Sequence, residues 1–272
     1  MKLAYMYATP DVGHSRVTAI QGDIAATLAQ IRKTGYEGVE FLVCNPEQIN
    51  ISALEAAVSQ EGLDVPAICT GEVYGEDKLS FADPDPDNRQ QACNRMKSAM
   101  ALAAHFGASV NVGRLRGRYQ DGIPPEQTMA WITESIRECA LTYPETRIVM
   151  EPVNHEYANC LMGTRDMLDF VSAVDLPNVG IMLDMVHMLM EGEDIDASIA
   201  SAQRCQRLWH FHFSDSDRLP LGDGRYDIGA IVKALREAGY EGYATVETFQ
   251  IPDSQHAIQQ SFNTLRPYFQ HQ

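Results

Sequence analysis

Residues 147–154 read Arg-Ile-Val-Met-Glu-Pro-Val-Asn: a short apolar run with the length of a strand, ending on an acid, Glu151. The arrangement returns three times. Val-Gly-Ile-Met-Leu-Asp ends on Asp184, Trp-His-Phe-His-Phe carries His212, and Tyr-Ala-Thr-Val-Glu ends on Glu247. The steps between these residues are 33, 28 and 35 positions, and a chain of 272 residues cut into eight equal units gives 34 per unit. Each polar residue therefore sits about one strand–helix unit after the last. Four consecutive parallel strands would each send one oxygen or nitrogen donor to the same end of a barrel.

Outward from these runs, apolar segments of strand length alternate with longer amphipathic ones. Strands are expected at 3–8, 38–44, 65–70, 109–115, 147–153, 179–185, 208–213 and 243–249, most of them rich in β-branched or aromatic residues. Helices are expected at 22–34, 51–61, 87–106, 125–142, 163–173, 194–204, 227–238 and 254–268, with apolar residues at i, i+3, i+4 spacing. Strict alternation implies parallel strands and right-handed crossovers, and eight units favour closure. The expectation is an α/β fold, a single (β/α)8 TIM barrel over 1–272, with its active site at the C-terminal face. The polar, Gly- and Pro-rich loops follow strands, as they do where such sites are built. Gly-Tyr-Glu-Gly occurs at 35–38 and again at 239–242, each time between a helix and a strand, where glycine supplies a left-handed cap.

The net charge of −16 speaks against a nucleic-acid partner, since phosphate binding wants a basic face. No run of 18 apolar residues suggests a membrane span, and the first residues lack a signal-peptide core. Six scattered cysteines without a Cys-x-x-Cys pair read as reduced thiols of a cytoplasmic protein. Nothing in the sequence sets the oligomeric state, and a homo-oligomer is compatible with it.

Glu151, Asp184, His212 and Glu247 make a hard, oxygen-rich set that suits one divalent ion, Mn²⁺, Mg²⁺ or Co²⁺ better than structural Zn²⁺. Glu151 and Glu247 have a second use as an acid/base pair: one removes a proton and the other returns one, with the developing enediolate held by the ion. His210 and His212 share one strand face by the period of two, His210 reading as a supporting or core-filling residue. His187, three positions after Asp184 and just past the strand, is a candidate contact to a substrate oxygen. Arg114, Arg116 and Arg118 stand in Gly-Arg-Leu-Arg-Gly-Arg-Tyr, and three arginines in five positions of an acidic chain suggest a fork for an anionic group, phosphate or carboxylate. Arg218 is a further cation near His212. No phosphate-binding Gly-x-x-x-x-Gly-Lys and no Gly-x-Ser-x-Gly elbow is present.

Glu-Pro-Val-Asn at 151–154, Leu-Asp-Met-Val-His at 183–187, His-Phe-His-Phe-Ser-Asp-Ser-Asp-Arg at 210–218 with the following Gly-Asp-Gly, and Val-Glu-Thr-Phe at 246–249 resemble the sugar phosphate isomerase/epimerase superfamily with a xylose-isomerase-like barrel. In motif order the chain is most similar to ketose 3-epimerases such as tagatose epimerase. The resemblance implies metal ligands Glu151, Asp184, His212 and Glu247, and substrate contacts from His187 and Arg218, with Asn154 of the first motif counted beside them. It implies a metal-dependent isomerase or epimerase of a ketose or ketose phosphate, working by proton transfer through a metal-bound enediolate. Six positions after Glu151 those epimerases carry Glu; here Tyr157 stands there, beside Glu156. An alternative with the same ligand set is a dehydratase of a cyclic keto-acid or inosose, such as 3-dehydroshikimate dehydratase. A nuclease of the apurinic endonuclease type shares the barrel but needs further histidines that the early strands lack. A non-catalytic carbohydrate-binding barrel would have no use for all four ligands.

Overall fold

The apolar runs form eight parallel strands: β1 (Lys2–Ala8), β2 (Gly38–Leu42), β3 (Ala67–Cys69), β4 (Ser109–Val112), β5 (Ile148–Met150), β6 (Val179–Asp184), β7 (Leu208–Phe213) and β8 (Tyr243–Val246). In the computed structural model, which describes residues 1–269, each strand pairs with the next and β8 pairs with β1, so the ladder closes. Residues 270–272, the end of the expected span 1–272, lie outside the described residues. Between the strands run α1 (Ile24–Thr34), α2 (Ile51–Glu61), α3 (Gly71–Gly75), α4 (Pro86–Phe106), α5 (Pro125–Thr142), α6 (Thr164–Val174), α7 (Met185–Met190), α8 (Ile195–Arg204), α9 (Ile228–Glu237) and α10 (Ser254–Phe269). The expected barrel is thus the observed one.

The local chemistry accounts for most boundaries. Asp23, Asn50, Asp85, Asp194 and Asp227 cap α1, α2, α4, α8 and α9, each side chain accepting from a backbone N–H of the first turn; such a cap stabilises a helix by about 1 kcal/mol. Gly35 and Gly239, the first residues of the repeated tetrapeptide, have φ of 121° and 74°, the region where a side chain would strain the turn into the next strand.

Two faces of the strands do different work. Tyr5, Tyr7, Val39, Phe41, Phe211 and Phe213 pack with helix residues such as Leu28 and Ile31 in one apolar cluster, while Met6, Ala8 and Leu42 belong to another. The alternate positions of β2, β4 and β7 bring polar groups into the barrel interior: Glu40, Asn111, His210 and His212, all buried. Two short helices were not expected. Helix α3 follows β3, and α7 follows β6 directly, with Asp184 as its cap: Oδ1 accepts from the Val186 N–H at 2.8 Å. No helix is long and apolar enough to cross a membrane among the described residues.

Candidate active site

Glu151 is the first residue beyond β5, and its N–H donates to the Val112 carbonyl of β4 at 3.0 Å. Asp184 and His212 sit at the ends of paired strands, directly in register, and Glu247 follows β8 with its N–H on the Phe213 carbonyl at 2.9 Å. Ladder and loop bonds therefore bring one donor from each of four successive strands to one point. One ligand atom from each of Glu151, Asp184, His212 and Glu247 lies within 4.8 Å of the others. His212 Nδ1 is 3.0 Å from Glu247 Oε2, 3.9 Å from Asp184 Oδ2 and 4.0 Å from Glu151 Oε1.

Glu40 fixes which nitrogen of His212 faces this cluster. Both Glu40 oxygens lie 3.1 Å from His212 Nε2, and Oε2 is also 2.7 Å from His210 Nε2. A carboxylate accepts only, so it takes the Nε2–H and leaves Nδ1 turned to the three acids. Burial pushes the Glu40 carboxyl up, but the two imidazoles outweigh it and hold it far below the usual carboxylate range. Burial works against charge on His212, yet Glu40 and Glu247 raise its pKa well above the ordinary histidine value. Burial, first of all, pushes the Glu151 carboxyl up to about 7; His212 opposes, and Glu247 and Asp184 add to the rise. Desolvation pushes the half-buried Glu247 up too, but Arg218 and His212 hold it below the usual range.

Arg218 reaches into the same cluster. Its Nη1 donates to Asp184 Oδ2 at 2.6 Å and to Glu247 Oε2 at 3.0 Å, and Nη2 lies 3.0 Å from His187 Nε2. Asp217 and Arg218 both have φ of 58°, an uncommon pair for non-glycine residues, and the turn buries Arg218 while leaving Asp217 exposed. His187 rides on α7, only 3% exposed, so it is no loop residue. Burial lowers its pKa to about 3; it is neutral, accepts from Arg218, and its Nδ1 has no partner among the described residues. An unpaired buried donor costs about 1–3 kcal/mol, which a substrate oxygen would offset.

The three arginines after β4 do not converge. Chain direction changes at Gly113, with φ of −98° and ψ of −100°, and a 3-10 turn over Arg114–Arg116 follows. Arg116 is wholly buried and donates to four backbone carbonyls, those of Gly113, Glu151, Cys160 and Leu161, at 2.7–3.2 Å. It ties the β4 and β5 loops together and does not line the cavity. Arg118 is exposed and lines no part of it either. Arg114 does line it, but its Nη2 is bonded to Glu72 at 2.7 Å. The expectation of a common anion fork at Arg114, Arg116 and Arg118 is corrected accordingly: spacing put the charges in one loop, and packing separates them.

Glu151, His187, Arg218 and Glu247 line a cavity of about 220 Å³ at the C-terminal end of the strands. Thr18, His14 and Glu72, which the motifs did not reveal, line it as well, and Asn111 supports Glu151. Thr18 donates to Glu247 Oε1 at 2.7 Å, Asn111 to Glu151 Oε2 at 3.0 Å, and His14 lies 3.0 Å from Glu72. His14, Glu72 and Glu76 form a further three-donor group at the mouth. Asn154 is buried beside this cavity; its Nδ2 meets Met190 Sδ at 2.9 Å and its Oδ1 accepts from the Glu156 N–H at 3.1 Å.

Known proteins resemble the chain along most of its length. The chain is 27% identical over 236 residues to an L-ribulose 3-epimerase of Mesorhizobium japonicum, covering 85% of this chain and 77% of that one. It is 25% identical over 249 residues to a 3-dehydro-D-guloside 4-epimerase of Escherichia coli, covering 87% and 91%. A solved structure of an L-ribulose 3-epimerase superposes with a TM-score of 0.82 at 20% identity, over 99% of this chain and 94% of that one, a likeness of fold. The family described as xylose isomerase-like TIM barrel matches residues 28–268. The chain belongs to the xylose isomerase-like TIM barrel family.

Proposed function

We propose that the chain is a divalent-metal-dependent epimerase of a keto sugar, moving a proton at the carbon beside the ketone. The observation that carries this is the pair Glu151 and Glu247: one buried and one half-buried carboxylate from strands three apart in the ladder, both lining one cavity, with His212 Nδ1 near each. One takes the proton from one face of the carbon and the other delivers a proton to the opposite face.

The donor set fits an ion. Three carboxylates gathered around one imidazole nitrogen repel one another, and Glu40, holding Nε2, leaves Nδ1 facing them as the nitrogen an ion would take. Mn²⁺, Mg²⁺ or Co²⁺ suits these oxygens, and when bound supplies polarisation of the ketone and a counter-charge for the enediolate. Around it, Arg218 and the neutral His187 hold substrate oxygens, and Thr18 and Asn111 fix the two glutamates. With Arg116 bound to carbonyls and Arg114 to Glu72, a neutral sugar suits the cavity better than a phosphate ester. Six cysteines, all free, suit a cytoplasmic enzyme.

The test is proton exchange. Metal-loaded protein is incubated in D₂O with D-fructose, D-tagatose, L-ribulose and 3-dehydro-D-glucosides. Deuterium should enter at the carbon beside the ketone together with the epimer. No exchange into any of these substrates would overturn the reading.

A further inference from the structure

Next to the cavity over Glu151 and Glu247 lies a second one of equal capacity, about 220 Å³. Tyr157, Arg218 and Phe249 line both, so the two compartments share a wall. At this border the Phe249 N–H donates to the Arg218 carbonyl at 2.8 Å. Tyr157 is edge-on to His187, with ring centroids 5.9 Å apart, and Arg114 lies 5.7 Å from its centroid on the side of the first cavity.

The second compartment has a distinct character. Tyr226 adds another aromatic face beside Tyr157 and Phe249, and Glu156, Asp217 and Arg225 surround them with charge. Buried Asn154 also lines it, and the amide donor of Asn154 finds only a thioether sulfur, a weak acceptor. Aromatic faces ringed by a few polar groups make a ligand site when concave. A pyranose ring matches that pattern, with its C–H face for the aromatic rings and its hydroxyls for Asn154 and the charged groups.

We propose that this second cavity is a subsite for the group attached to the reacting sugar, and that this group is itself a sugar ring. The chain then acts on keto-glycosides in preference to free ketoses. The inference rests on the epimerase reading for the chemistry, but the subsite can be tested without it.

Three probes separate the cases: D-fructose, with nothing for the second cavity; methyl 3-dehydro-D-glucoside; and the same 3-dehydro ring carrying a glucosyl aglycone. The glucosyl compound should exchange deuterium with a kcat/KM at least tenfold above the methyl one. Tyr226→Ala should bring that ratio close to one, whereas Tyr226→Phe should keep it. In parallel, glucose and maltose, which lack the ketone, are titrated into the metal-loaded protein. Maltose should bind at least tenfold tighter, and Tyr226→Ala should erase the difference. A ratio of one in the wild type, or a ratio that Tyr226→Ala leaves intact, overturns the subsite while leaving the epimerase reading standing. If no probe exchanges, the epimerase reading falls, and the maltose titration alone decides the subsite.

Discussion

The Glu40 carboxylate meets the His212 imidazole at 3.1 Å across the barrel interior, although 172 positions separate them in the chain. It accepts from His210 as well, so one buried acid orients two rings. Removing its charge in Glu40→Gln lets Nε2 choose another tautomer and unsettles Nδ1. Groups that orient a ligating histidine are worth roughly 10–100-fold in metal affinity. Mn²⁺ titration followed by electron paramagnetic resonance should show that loss; wild-type affinity in a folded Glu40→Gln protein would exclude the orienting role.

Asp184 carries a charge within the four-donor cluster and caps α7 with its other oxygen. Asp184→Asn keeps an oxygen for the cap and removes the charge. Divalent metal content after dialysis should fall to a small fraction of the wild-type value, with far-ultraviolet circular dichroism unchanged. Full metal content would show that Asp184 is no ligand.

For the proton-transfer pair, Glu151→Gln and Glu247→Gln are read at saturating Mn²⁺ with metal loading measured in the same sample. Each should lower deuterium exchange by roughly 10²–10⁴-fold, the usual contribution of a positioned acid or base. Exchange at the wild-type rate in either loaded variant would remove that glutamate from the chemistry.

Gly113 offers a subtler probe of the same carboxylate. A Cβ built there would come 2.5 Å from Glu151 Oε2. Gly113→Ala, checked for folding by circular dichroism, should push the Glu151 side chain aside and lose about tenfold or more in kcat, on the order of what small misplacements cost. Unchanged kcat would mean that Glu151 tolerates displacement and does not act from its observed position.

Arg116 and Arg118 should separate in a stability assay. Arg116→Ala removes the guanidinium from four backbone carbonyls, most of them buried, and should cost on the order of 3 kcal/mol, lowering Tm by roughly 5–10 °C. Arg118→Ala, at an exposed position, should stay within about 0.5 kcal/mol. Equal thermal shifts in the two variants would contradict the packing described for Arg116.

The parts legible in the sequence were those written locally. Each strand ends its apolar run near the residue expected, and the acids and histidine at those ends stand at barrel spacing because the ladder repeats at that interval. The parts that escaped are decided by distant pairing. Glu40 looked like one acid in the apolar run Gly-Val-Glu-Phe-Leu; its one signal was that alternation aims it inward with Leu42. Helix α7 was hidden because the expected strand ended at 185 and Val-His-Met-Leu-Met read as part of the stretch before the next helix; only the capping use of Asp184 marks the change. The arginine triplet misled for a physical reason. A loop's composition fixes how much charge it carries, whereas the turn at Gly113 and the Leu115 carbonyl's bond to the Phe81 N–H fix where each guanidinium goes.

Because β8 pairs with β1, the sheet has no edge strand. Its backbone donors and acceptors are spent on one another, so a second copy finds no open ladder to extend. Any self-association of the barrel must be made by helices or loops. Those that carry the mouth of the cavity are also the ones that a partner copy would have to leave clear for sugar to enter.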